Sequence, residues 1–166
     1  EVSSHALKQK RVAGLKFKAA VFTNLTQDHL DYHKTMKRYF DSKAKLITGL
    51  GKEASAVINI DDPWGRRLFN KKSIKANVLG YGVDSRAEIK AEAIQLSSDC
   101  IEFHVWTPWG DENIKSSLLG RFNVSNVLAA IGVCGSMGVQ LDLVADVVSK
   151  MSSVSGRLEE FKSGKG

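Results

Sequence analysis

The chain has 166 residues, 43% of them hydrophobic, which suffices to bury the core of one globular domain and sets it apart from disordered chains. Its 24 basic against 18 acidic residues give a net charge of +6, which favours anionic partners such as nucleotides, phosphorylated metabolites or nucleic acid. No stretch approaches the about 20 apolar residues needed to span a bilayer, and the N-terminus has no signal-peptide pattern, so no membrane insertion is expected. Two cysteines, Cys100 and Cys134, are too few for a disulfide framework. They predict free, buried thiols in a reducing, cytoplasmic setting.

In chain order, residues 16–22 carry the β-branched and aromatic content of a strand. The loop after it holds Asp28, His29, Asp31 and His33. Two readings stand: turn and helix-cap residues with polar neighbours, or a metal or phosphate site at a strand's carboxyl end. Residues 36–50 follow with helical period: Tyr39, Phe40, Leu46, Ile47 and Leu50 form an apolar stripe, and Lys43 falls within it. Desolvating an ammonium is costly unless it is paired or neutralised. Either the Lys43 stem covers apolar surface while its head reaches water, or the side chain has a chemical task.

A short apolar run at 54–60 reads as a buried strand ended by Asp61-Asp62-Pro63, with a helix over 64–70 and another strand over 76–81. Asn59, Asp61 and Asp62 sit at a strand end, where turn and cap roles explain them as well as ligand binding does. Two strand–helix units in succession imply parallel pairing with right-handed crossovers. From residue 88 the pattern changes to three strands, 88–96, 101–107 and 113–118, with turns at 97–99 and 108–111, as in an antiparallel meander. Helices return at 123–137, closed by Gly138, and at 142–151, before Gly156-Arg157 leads into 158–161. Lys71, Lys72 and Lys75 are the only dense basic group and lack aromatic interleaving, so a solvated face is expected there and no nucleic-acid partner.

Several separated motifs in order resemble one family. Glu1-Val-Ser-Ser-His5 with Gln9 and Arg11, the segment from Phe22 to His33, Tyr39 with Lys43, Gly120-Arg-Phe-Asn-Val-Ser-Asn126, and Gly156-Arg157-Leu-Glu159 resemble the central domain of the Mur ligases. The similarity is strongest to the MurE type, which adds the third amino acid, diaminopimelate or lysine, to UDP-N-acetylmuramoyl-L-alanyl-D-glutamate in peptidoglycan synthesis. Folylpolyglutamate synthases are similar in fold and logic and rank second. The implied fold is α/β: a mostly parallel, Rossmann-like sheet with flanking helices over residues 1–162, a small antiparallel three-stranded subdomain at 88–118, and a tail at 163–166.

The resemblance also implies chemistry. Such enzymes use ATP and Mg2+ to phosphorylate a carboxylate, and an amino group then attacks the acyl phosphate. Glu1, His29 and Lys43 would hold magnesium, with Lys43 carbamylated to N6-carboxylysine and catalytic together with His29. Burial favours the neutral amine, which can take up carbon dioxide to give an anion suited to a hard cation. Ser3, Gln9 and Arg11 would contact the UDP-muramoyl dipeptide. Asn123 and Asn126, three apart on one helical face, would lie near the adenine of ATP, and Arg157 near the nucleotide. Tyr39 would line the Lys43 pocket, and a plain core aromatic explains it equally well.

The departures count too. No G-x-x-x-x-G-K-S/T phosphate loop is present, although the family carries one upstream of the Glu1 segment. The family's N-terminal and C-terminal domains, which hold the uridine nucleotide and the incoming amino acid substrate, are likewise missing. The chain therefore reads as a fragment with no ligase activity by itself. Two other classes stay open: a metal-dependent hydrolase built on Asp28, His29, Asp31 and His33, and a non-catalytic module binding through its basic surface.

Overall fold

The computed structural model describes residues 1–26 and 30–151, with the backbone alone for Leu30 and Asp31. Six strands among these residues form one sheet in the order β1-β2-β3-β4-β5-β6: β1 (Ala19–Phe22), β2 (Ser55–Asn59), β3 (Asn77–Gly82), β4 (Ile89–Leu96), β5 (Ile101–Thr107) and β6 (Gly110–Ser116). The first three pair in parallel, with Phe22 opposite Ile58 and Ile58 opposite Gly80. The last three pair antiparallel.

The meander is not a separate layer. β4 joins β3 in parallel through Tyr81 opposite Ile89 and Gly82 opposite Lys90, so the expected subdomain at 88–118 extends the main sheet. Its last strand also begins earlier than residue 113. Thr107 pairs with Gly110, which leaves Pro108 and Trp109 as the whole hairpin loop, and Gly110 supplies a φ of 129° there.

Among the described residues six helices flank the sheet: α1 (Ser4–Lys8), α2 (Leu30–His33), α3 (Met36–Thr48), α4 (Pro63–Phe69), α5 (Arg121–Ser136) and α6 (Leu141–Lys150). Alternation along β2 assigns its faces. Ala56 and Ile58 pack with Phe22, Tyr39, Phe40, Ile47 and Leu68 from the α3 and α4 side, whereas Val57 packs with Val124, Leu128 and Ile131 of α5. Val144 and Val148 of α6 complete that second core, over the inward residues Ile101, Phe103, Val105 and Ile114 of the meander.

Local chemistry explains the boundaries. Thr35 caps α3 by accepting from the Arg38 amide at 3.2 Å. Asp62 caps α4, with Pro63 at the first turn, where its missing N–H costs nothing. α5 starts at Arg121, two residues before the expected 123, because Gly120 turns the chain with a φ of 88°. α1 was not expected: five residues carry no readable period, and it is held by the Ser3 hydroxyl accepting from the Ala6 amide at 3.1 Å. Both cysteines are free, but they are half-buried rather than buried. No helix among the described residues is long and apolar enough to cross a membrane.

Candidate functional site

β1 lies at one edge of the sheet, and its carboxyl end opens into a cavity of about 670 Å³. Glu1, Ser3 and Ser4 from the α1 segment, Thr23, Asn24 and Thr26 after β1, Tyr39 and Lys43 from α3, and Asn126 from α5 all reach its wall. The carboxyl end of a parallel strand is where such sheets bind ligands, because loops and helix N-termini converge there.

Lys43 combines the two readings of its position. Tyr39, Phe40, Ala44 and Ile47 belong to the buried arc of α3, and Lys43 lies within that arc between Tyr39 and Ile47, half-buried. Its Nζ lies 5.4 Å from the Tyr39 ring centroid and 6.0 Å from that of Phe22, within cation–π range. The same nitrogen donates to the Asn24 carbonyl oxygen at 3.2 Å. The stem thus covers aromatic surface while the head faces the cavity. Tyr39 is both a core aromatic, 5% exposed, and part of the cavity wall.

The other expected residues divide. Glu1 and Ser3 reach the cavity, although the Ser3 hydroxyl is also engaged as the α1 cap. Gln9 and Arg11 are exposed on the turn after α1 and do not line it. Asn126 lines the cavity and donates through Nδ2 to Asn123 Oδ1 at 2.9 Å. Asn123 in turn donates to the Leu119 carbonyl at 2.7 Å, so it orients its neighbour from the first turn of α5 without reaching the wall. Asp28, His29 and Arg157 lie outside the described residues. His33 is described and buried, sharing a 2.9 Å hydrogen bond with the Ser4 hydroxyl.

Two aspartates after β2 hold the loops around this edge. One Asp62 oxygen accepts from the Trp64 and Gly65 amides, and the other accepts from Leu25 at 3.2 Å, beside the Asn24 that receives Lys43. Asp61 accepts from the amides of Val83, Asp84 and Ser85, pinning the turn between β3 and β4. Burial pushes the Asp61 carboxyl up, but the hydrogen bonds from Val83, Ser85 and Asp84 outweigh it and hold the group below its ordinary value. Burial raises the nearby Tyr81 hydroxyl, and the charges of Asp61 and Asp62 raise it further. The Asp-Asp-Pro run signals the α4 cap in sequence, whereas the Asp61 clamp spans more than 20 residues and leaves no local trace.

The chain is similar in sequence and fold to known proteins. The family described as Mur ligase middle domain matches residues 1–134. A UDP-N-acetylmuramoyl-L-alanyl-D-glutamate–2,6-diaminopimelate ligase of Prochlorococcus marinus is 44% identical over 169 residues, covering 98% of this chain and 34% of its own length. A solved structure of a ligase of that name superposes with a TM-score of 0.83 at 32% identity, over 95% of this chain and 33% of its own. The MurF ligase of Thermotoga maritima, solved in complex with ADP, shares the fold with a TM-score of 0.76 at 20% identity, over 96% of this chain and 36% of its own. The chain therefore spans about a third of the length of the curated relative it matches.

Proposed function

Because the chain belongs to the Mur ligase middle-domain family, we propose that it is the central part of an ATP-dependent ligase adding the third amino acid to UDP-N-acetylmuramoyl-L-alanyl-D-glutamate. The names of the relatives favour diaminopimelate over lysine as that amino acid, and the scarcity of cysteines favours a cytoplasmic setting. The observation that carries the reading is the shared cavity: Lys43 of α3, Asn126 of α5 and Glu1, which precedes α1, all line it at the carboxyl end of β1.

In this reading the γ-phosphoryl group of ATP passes to the dipeptide carboxylate, giving an acyl phosphate and ADP. The amine then attacks the acyl carbon, phosphate leaves, and the amine nitrogen loses a proton. Asn126, aimed by Asn123, contacts the adenine, and the α1 segment holds the muramoyl peptide. Lys43 takes up carbon dioxide at Nζ and releases a proton; the carbamate keeps one N–H, which can still donate to the Asn24 carbonyl, and carries its carboxylate beyond that nitrogen.

The donor set fits magnesium. Glu1 supplies a carboxylate, carbamylated Lys43 a second, and Thr23 and Thr26 hydroxyl oxygens line the same wall. A hard cation of this kind takes one or two carboxylates and completes its shell with water and phosphate oxygens. When bound, it neutralises phosphate charge. Among the described residues no cluster of three or more histidines, cysteines or acids could hold a metal by itself.

The test is product formation by the full-length protein carrying this segment, given ATP, the UDP-muramoyl dipeptide and either diaminopimelate or lysine. ADP, phosphate and the diaminopimelate-containing tripeptide are expected, and the 166-residue chain alone gives none. Turnover only with a folate and glutamate, or no amide product at all, would overturn the reading.

A further inference from the structure

The most enclosed polar contact among the described residues runs back from the cavity wall, which Ser4 reaches and His33 does not. His33 and Ser4 are each 2% exposed and share a hydrogen bond of 2.9 Å between Nε2 and Oγ. The His33 ring stacks on Tyr39, with centroids 5.0 Å apart and planes 20° from parallel, and Tyr39 is the ring beneath the Lys43 Nζ. Around this contact His5 packs on Tyr32 at 4.0 Å, and Lys8 stands over the same tyrosine ring at 4.3 Å.

α1 has only five residues, too few to be stable by its own hydrogen bonds, so outside contacts must set its position. Ser4 directly follows Ser3. The turn bearing Gln9 and Arg11 hangs from the same helix, through Gln9 N to His5 O at 2.8 Å and Arg11 N to Ala6 O at 2.9 Å. Lys43, in contrast, belongs to the 13-residue α3, which is anchored by its own buried face.

We infer that His33 is a positioning residue, locking α1 and its expected muramoyl-peptide contacts onto Tyr39 of α3 through the buried bond to Ser4. The inference rests on the ligase reading above. It separates two functions along one line of contacts: the histidine sets where the peptide substrate is held, while α3 sets where Lys43 stands. Loss of the bond lets α1 shift, so the substrate binds less well, whereas the chemical step at saturation is largely kept.

Steady-state kinetics of the full-length protein test this with Ser4→Ala, His33→Phe and His33→Gln. Phenylalanine keeps the stack on Tyr39 and loses the hydrogen bond, whereas glutamine places a polar atom near the position of Nε2. Ser4→Ala and His33→Phe are each expected to raise KM for the UDP-muramoyl dipeptide about tenfold, the worth of one buried hydrogen bond, with kcat within about threefold of wild type. The double variant should be no worse than either single one, and His33→Gln should recover most of the affinity. A purely structural role would lower the active fraction, reducing kcat at unchanged KM, and that result overturns the inference while leaving the ligase reading intact. Ser4→Ala, which removes one oxygen atom, keeps the test open if His33→Phe does not fold. Absence of turnover by the wild-type protein would overturn the ligase reading, and this inference with it.

Discussion

Helix α4 passes so close to the end of β2 that a Cβ added to Gly65 would stand 1.9 Å from the carbonyl oxygen of Asn59. That oxygen is backbone and cannot swing aside, so the helix itself must move. Gly65 is also one of the amides capped by Asp62, whose second oxygen holds Leu25 beside the cavity. Gly65→Ala is therefore expected to cost about 2–3 kcal/mol, in the range of overpacked sites. A lower urea midpoint at unchanged slope checks it.

Asp61 gives the fold an acid limit. Its carboxyl lies below the ordinary 3.8 in the folded chain, so the folded state binds its proton less readily than the unfolded one. The stabilisation is complete above that ordinary value and is lost as pH falls toward the lower folded value. Asp61→Asn should flatten this limb. Urea unfolding at neutral pH and at about pH 3, just under the ordinary carboxylate range, measures it: the wild type should lose more stability than the variant on acidification.

The two asparagines of α5 should differ in their weight on folding, although Asn123, which aims Asn126, shares in nucleotide binding. Asn123 bonds the Leu119 carbonyl and is half-buried, so Asn123→Ala is expected to destabilise by about 1 kcal/mol. Asn126 is exposed on the cavity side, and Asn126→Ala should leave stability within about 0.5 kcal/mol. Its effect should instead be a higher KM for ATP in the full-length protein. Equal effects of both substitutions on ATP binding, with neither changing stability, would contradict the division.

What could be read from the sequence was what repeats locally. The apolar spacing from Tyr39 to Ile47 marks α3, and the runs at 54–60 and 76–81 mark two buried parallel strands, because burial there follows the period of the backbone. Long-range joins were not legible. Nothing near Ile89 announces that it pairs with Tyr81, and so the meander reads as a subdomain when it extends the sheet. Nor does any local pattern link Ser4 to His33, 29 positions away, or Asp61 to Val83. For the site, Lys43 was visible as a charge in an apolar stripe, and its partner, the Asn24 carbonyl, was not, because a backbone acceptor has no residue signature. Gln9 and Arg11 carry a family motif yet stand away from the cavity wall, since a motif preserves order along the chain and not direction in space.

Under the proposed ligase reading, carbamylated Lys43 presents a carboxylate to the cavity. The most direct measurement is tripeptide formation by the full-length Lys43→Ala protein, with and without added acetate. Alanine removes the group, and acetate can supply a free carboxylate in the space left beside Tyr39 and Asn24. The account predicts a loss of about 100-fold, partly restored by acetate. Wild-type turnover by Lys43→Ala without any additive would contradict it.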